Sequence, residues 1–519
     1  MNMIALPEYL SSLQRRGVRL WVDNGQLHYH AAKGALNADE LARLRVMRDD
    51  IVTELTRPPV ATSAGSTVVP LSFQQEWLLM LILRHEAWQQ FQTFAFQLEG
   101  LLDVRVLERS IDILFQRHDS LRARVVGTQR GHGLEIDTPR PYRLDVVPVD
   151  VGFVARAEHN IRLQISDVVS RFVNAFSGPL LHVRLLRISE QRHYLILIAH
   201  RLVADCLALA QLFRELWLLY GEAIKVQSSS VEPEPGQYQN YVIWQHATAE
   251  QWQHKHYTYW EDHLANAPRL RWPVSAAAPP GVAETSGSTE LVSLQATFGR
   301  PLSAGLRDLA RQTQTLPALV LLTLYASVVS RCCGQQDFVL PFNVAGRHAT
   351  HESVVGCFAQ VVYLHLTVKA EEPFEELLRR VSNVFYKAVF HQDYGRMVLK
   401  RPDLLGGTLC QYISWHPAEL AGRDMYEIPA RLGVVTTPVR FQSARQLTSV
   451  PPGATDVDTC FFESTDEIAV LLISQRNRLA PGTLEWVVQQ LQSSAQQIID
   501  SSHWSKGGTA SCDGYVKQK

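Results

Sequence analysis

The sequence lacks most of the features that assign a chain to a class at once. Lys and Arg together number 50 and Asp and Glu 51, so the net charge is −1 and there is no basic excess of the kind a nucleic-acid binder advertises. No run of like charge suggests an interaction tail. The first 20 residues carry Glu8, Arg15, Arg16 and Arg19 among scattered apolar positions, with no continuous apolar core, which excludes a signal peptide reading of that stretch. The longest apolar stretch, LPALVLLTLYASVV (316–329), falls short of the ~18 residues a membrane helix needs and predicts a buried core helix. The seven cysteines form no CxxC pair, and Cys332 and Cys333 are adjacent, so no zinc knuckle is expected. Scattered free thiols without a signal peptide point to a cytoplasmic protein. There is no P-loop, HExxH, GxSxG or GxGxxG motif. Neither a metal nor a resident cofactor is expected, and neither a nucleic acid nor a membrane as partner.

What is present is an ordinary globular balance, 46% hydrophobic and 19% charged, in a 519-residue chain with room for several folding units. Residues 1–57 read as a small unit. Leu6, Leu10 and Leu13 recur at helical spacing, with Pro7 suited to a first helical turn and Gly17 to the stop. Leu20 and Val22 then alternate with Arg19, Trp21 and Asp23, and Asn24-Gly25 leads into Leu27 and Tyr29, a strong hairpin signal. Asn37 and Glu40 are spaced as a capping box, opening a helix that carries Leu41, Leu44, Ile51 and Leu55. The order is therefore helix, hairpin, helix. Residues 58–70 (PPVATSAGSTVVP) have linker composition, as do 226–236 and 273–288. The boundaries place a first lobe at 71–272, a second at 273–505 and a frayed tail at 506–519.

The most informative segment is YLILIAHRLVADCLALAQLFRELWLLY (194–220). Tyr194 to Ile198 is a continuous apolar run, as in a strand buried on both faces. Leu209, Leu212, Phe213, Leu216 and Tyr220 mark an amphipathic helix. His200, Arg201 and Asp205 sit between them, and polar groups in such a frame are expensive unless paired. The plain structural alternative is that Asp205 caps the helix and His200 is a satisfied core histidine.

Seven stretches in order resemble the condensation domain of nonribosomal peptide synthetases. They are LSFQQEWLL (71–79), RHDSLRARV (117–125), AHRLVADC (199–206), YQNYVIWQ (238–245), GQQDFVLPFNVAGR (334–347), VVGCFAQVVYLHL (354–366) and FHQDY (390–394). The third occupies the place of the family's HHxxxDG active-site motif. GVRLWVDNGQLHYHAAKGAL (17–36) separately resembles the tubulysin-type (TubC-like) N-terminal docking domain. The LLGGTL stretch (404–409) resembles a carrier-protein attachment loop, but Leu409 stands where that loop needs Ser, which excludes it.

The resemblance implies an α/β (α+β) fold of two chloramphenicol-acetyltransferase-like lobes forming a V with a central tunnel, preceded by an αββα docking domain. It implies an acyltransferase that joins an acyl thioester donor to an amine acceptor, both on the phosphopantetheine arms of separate carrier proteins. It also implies that residues 1–57 bind the tail of an upstream synthetase by adding a strand to the hairpin edge. The family's motif places His200, Arg201 and Asp205 at the catalytic position, with Arg122 and Cys206 as structural residues beside them. Arg122 is expected to pair with Asp205. Three departures stand out. Arg201 replaces the second His, and a guanidinium cannot accept a proton. Cys206 replaces the final Gly, which changes the backbone allowance at the turn. Pro341 and Asn343 stand where Gly and Pro are usual in the loop crossing between lobes. Two functions follow as alternatives. One is amide formation with a degenerate site. The other is a non-catalytic platform, like the X-domains of glycopeptide synthetases, that recruits a tailoring enzyme or gates carrier proteins.

Overall fold

The computed structural model describes residues 19–23, 26–30, 36, 44, 47–48, 61–62, 66–84, 91–128, 131–172, 175–225, 235–274, 291–393, 404, 407–414, 426–439, 455–464 and 466–501. Strands β1 (Arg19–Asp23) and β2 (Gln26–His30) pair antiparallel, from Arg19 opposite His30 to Asp23 opposite Gln26. That register leaves two residues for the turn, as the alternation around Asn24-Gly25 requires. The flanking helices expected around 6–13 and 41–55 lie outside the described residues apart from Leu44, Met47 and Arg48. So does the tail at 506–519.

The segment 58–70, expected as a linker, instead carries two strands, β3 (Ala61–Thr62) and β4 (Ser66–Pro70). β4 joins a four-stranded sheet by pairing with β7 (Gly131–Ile136), which pairs in turn with β6 (Ala123–Thr128). The reason is the Val68-Val69 pair: Val69 is buried, and two β-branched residues in extended backbone outweigh a polar, linker-like composition.

Between these, α1 (Phe73–Arg84), β5 (Phe91–Glu99) and α2 (Val104–Arg117) open the first lobe. It continues through β8 (Asp145–Pro148), α3 (Ala157–Phe172), β9 (Leu181–Arg187), β10 (Arg192–His200) and α4 (Cys206–Ala223). β10 is central, and its apolar run is buried on both faces as expected. Leu195, Leu197 and Ala199 face α2 and α4, while Tyr194, Ile196 and Ile198 face Ile161, Ile165 and Val168 of α3.

The long helix α5 (Tyr238–Leu264) leads to the second lobe. That lobe contains β11 (Leu291–Thr297), α6 (Gly299–Gln312), α7 (Pro317–Cys333), β12 (Asp337–Val344), β13 (Gln360–Thr367), α8 (Phe374–Phe390) and β14 (Thr408–Ser414). It continues with α9 (Glu427–Arg431), β15 (Val435–Pro438), β16 (Val457–Glu463), β17 (Ile468–Gln475) and α10 (Thr483–Asp500). Its six-stranded sheet has the order β11-β17-β16-β14-β12-β13. The stretch read as a core helix is α7, which starts with Pro317 at a first-turn position and ends on Gly334 in left-handed backbone. No single helix among the described residues is long and apolar enough to cross a membrane.

Among the described residues, one strand crosses the boundary between lobes. β15 leaves the second half of the chain and pairs antiparallel with β5, so the first lobe's sheet runs β15-β5-β10-β9-β8. Ile428 and Val434, flanking it, belong to the first lobe's core.

Candidate functional site

β10 delivers His200 to the edge of the core, and α4 begins six residues later because Asp205 caps it, accepting from the Ala208 amide at 2.8 Å. The whole turn from His200 to Asp205 is buried. What covers it is the segment between β12 and β13, which carries Gly346, Arg347 and residues 356–359. Two glycines make that approach possible. A Cβ at Gly346 (φ +65°) would lie 2.0 Å from the Phe358 carbonyl oxygen, and one at Gly356 would lie 1.9 Å from the Tyr238 ring.

Asp205 is saturated by this contact. Its Oδ1 accepts from the Ala208 amide and from Arg347 Nη2 at 2.7 Å. Its Oδ2 accepts from the Phe358 and Ala359 amides at 3.0 and 3.2 Å. Its own amide donates to the Gly356 carbonyl at 3.1 Å. The carboxylate is therefore a fastener between lobes. Arg347 stacks its guanidinium 4.2 Å above the Phe358 ring.

The expected Arg122–Asp205 pair does not form. Arg122 lies in its own short 3₁₀ turn and is consumed locally. It donates to Asp119 at 2.5 Å, to the Asp137 and Gln116 carbonyls at 3.0 and 2.9 Å, and to the Phe115 carbonyl. A carboxylate three residues away and three carbonyls within reach satisfy the fork. The partner of Asp205 is instead 142 positions distant, at Arg347. Arg347 ends one of the seven family-like stretches, yet sequence alone gives it no role; its position just after a crowded left-handed glycine is the available signal.

His200 is fully buried and neutral. Its Nδ1 accepts from the Leu202 amide at 3.2 Å, so the ring proton sits on Nε2, which is occluded without a hydrogen-bond partner. Burial first, and the Arg201 charge second, push its pKa down to about 3. The capping half of the plain structural reading therefore holds for Asp205, while His200 is only half satisfied. Arg201 is also buried, and burial lowers its pKa while Cys357, Asp205, Asp458 and Cys206 oppose that shift. Cys357 is buried and its thiol is pushed up to about 12. Cys206, half-buried, opens α4 without entering left-handed backbone, so replacing Gly there costs the turn nothing.

A polar layer that the motif spacing does not single out backs the turn. The Tyr238 hydroxyl lies 2.5 Å from the Cys357 carbonyl oxygen and 2.8 Å from Ser72 Oγ. Gln74 and Gln245 both donate to the Tyr241 hydroxyl at 3.0 Å, and Gln74 also donates to Gln360 at 3.2 Å. Further along, His348 pairs with Asp393 at 3.0 Å, and that carboxylate raises the histidine's pKa. Apart from His348, these residues come from 71–79, 238–245, 354–366 and 390–394. The motifs thus meet at one seam between lobes. Among the described residues, no cluster of three or more His, Cys, Asp or Glu side chains could hold a metal ion.

The Condensation domain family model matches residues 66–402, and the TubC N-terminal docking domain model matches residues 7–56. The chain belongs to the condensation-domain family. Chondramide synthase cmdD of Chondromyces crocatus is 29% identical over 334 residues, which make up 63% of this chain and 8% of that protein. This condensation-domain chain thus spans a small part of such relatives. Among solved structures, the cyclization-docking bidomain of EpoB from Sorangium cellulosum matches with a TM-score of 0.63 at 19% identity, over 96% of this chain and 98% of that one. The complex of the X-domain and OxyB from teicoplanin biosynthesis matches with a TM-score of 0.64 at 19% identity, over 85% of this chain and 95% of that one. At such identities the likeness is one of fold. Within it, the departure that matters is position 201. The motif resemblance implies a second His there, and this chain places a buried Arg.

Proposed function

We propose that this condensation-domain protein receives carrier-bound chains without forming an amide bond. It acts as a platform that presents the chain to a tailoring enzyme or gates its passage. The observation that carries the reading is that none of His200, Arg201 and Asp205 offers an open proton-accepting atom. Arg201 is a cation, and the one acceptor nitrogen of His200 is occupied. Each Asp205 oxygen already accepts two N–H groups. A positioned base contributes ~10²–10⁴-fold, and losing it leaves proximity alone to drive the reaction. The matched X-domain with its partner OxyB is a precedent, in the same fold, for recruitment. Phosphopantetheine arms would enter as parts of the substrates, and the docking unit at 7–56 would hold an upstream synthetase's tail on its hairpin edge.

The test is single turnover with donor and acceptor loaded on their carrier proteins, and product read by mass spectrometry. The wild type should bind carrier protein yet yield product no faster than the mixture without it. Arg201→His should remain silent. A gain of ~10²-fold in that variant would show that only the base is missing and would overturn the platform reading. Product formed by the wild type and abolished in Arg201→Ala would overturn it too, making Arg201 a catalytic residue that stabilises an oxyanion.

A further inference from the structure

Three buried glutamines form a relay whose direction is fixed. The Phe73 amide can only donate, and it donates to Gln245 Oε1 at 2.9 Å, which leaves Gln245 Nε2 to donate onward. Gln245 Nε2 gives one hydrogen to Gln74 Oε1 and the other to the Tyr241 hydroxyl, both at 3.0 Å. Gln74 Nε2 gives one to Tyr241 at 3.0 Å and the other to Gln360 Oε1 at 3.2 Å. Turning any one carboxamide over would set hydrogen against hydrogen or oxygen against oxygen. Gln360 therefore presents its NH2 group, which is buried with no acceptor among the described residues. A buried donor without an acceptor is destabilising, and the relay gives Gln360 no way to hide it by turning.

Gly346 shows where that group lies: a Cβ there would come within 3.3 Å of Gln360 Nε2. The next residue, Arg347, adds two more buried open donors, Nε and Nη1, beside the Nη2 that holds Asp205. On the neighbouring strand β12, Asn343 Oδ1 is also open, but Asn343 stands opposite Val361, on the other face of the sheet from Gln360. Open donors thus flank Gly346, and β12 brings no acceptor to meet them.

We propose that Gln360 Nε2 receives a carbonyl oxygen of the chain that the protein holds, from an amide or a thioester, with Arg347 as its charged neighbour. The proposal rests on the platform reading and deepens it, naming the group of the bound chain that is recognised. Gln74 belongs to α1 of the first lobe and Gln360 to β13 of the second, so the open amide sits at the seam and a chain reaches it between the lobes. Gln74 and Gln245 are positioning residues, which keep the third carboxamide from turning over. An ammonium group is rejected at the same place, because it too can only donate and meets the Arg347 charge.

The test is NMR on the full chain labelled with [15N]glutamine, with N-acetylethanolamine as the carbonyl probe and ethanolamine as the cationic one. The side-chain signal pair missing from Gln360→Leu identifies Gln360. In the wild type that pair should shift on titration with N-acetylethanolamine and stay in place with ethanolamine. Gln360→Glu keeps the bulk and still accepts from Gln74, but it has no hydrogen to give. Ligand-detected NMR should then show the preference reversed, ethanolamine over N-acetylethanolamine. Thermal unfolding checks that each variant is folded. If Gln360→Glu is not, Gln360→Leu carries the comparison and should bind the carbonyl probe about tenfold more weakly than the wild type. A wild-type Gln360 pair that ignores the carbonyl probe, or a preference unchanged in these variants, would overturn the proposal. None of these readouts depends on amide formation, so this inference and the platform reading can fail separately.

Discussion

Two strand-to-helix turns in this protein make opposite use of the same geometry. The turn from β10 into α4 is buried from His200 through Asp205. The turn from β17 into α10 is open: Arg476, Asn477, Pro481 and Gly482 are exposed, with Asn477 and Gly482 in left-handed backbone. Both follow an apolar strand and both feed a long helix of 18 residues. The difference lies outside the turns. Residues 346–359 roof the first and bring Arg347 to Asp205, while over the second Arg478 reaches back to Asp456 from a partly exposed position. A polar turn becomes a buried site only when another part of the chain supplies the missing partners.

The sharpest way to break this contrast is Asp205→Ala. It strands Arg347, uncaps α4 and frees two amides of the crossing segment, and should cost about 3–5 kcal/mol. Chemical denaturation compared with Arg347→Ala and the double variant would check it; equal losses that fail to add would confirm one shared contact. Acid should also single out the buried turn. His200 stays neutral when folded down to about pH 3, whereas the unfolded chain takes the proton near its ordinary value. Its contribution is full above about pH 6.5 and is lost as the pH falls, reaching about 3 kcal/mol by pH 4. The difference in urea midpoint between wild type and His200→Gln, followed from pH 7 to 4, should show that slope. Next in size is Arg122→Ala. It uncovers three carbonyls and Asp119 but strands no deeply buried charge, so about 2 kcal/mol is expected in thermal unfolding. A loss as large as that of Asp205→Ala would mean the two residues are linked after all. The smallest effect belongs to the open turn. Arg478→Ala should cost under about 1 kcal/mol, because the pair is partly exposed and Asp456 keeps Arg269 at 2.9 Å.

Local pattern made much of this legible. The run Tyr194–Ile198, the amphipathic helix after Asp205, the core helix at 317–333 and the hairpin register each follow from spacing within a dozen residues. The family-like stretches were legible by their order, and 71–79, 199–206, 238–245 and 354–366 do come into contact, while Arg122 does not join them. What local pattern could not carry was pairing across distance. Arg122 looked like the natural partner of Asp205, but a guanidinium with carbonyls close at hand is satisfied first by them. β15 was equally hidden, being four residues long with its partner strand more than 300 positions earlier.

That borrowed strand bears on how the protein comes into being. As the chain leaves the ribosome, the first lobe emerges with β5 as a bare sheet edge, and Ile428 and Val434 of its core not yet made. Such edges invite pairing with other chains. Completion waits on the long-range closure brought by residues 426–439, a slow and aggregation-exposed step. The two halves are thus one unit of synthesis, and residues 1–272 produced by themselves should be recovered as aggregate rather than as a folded half.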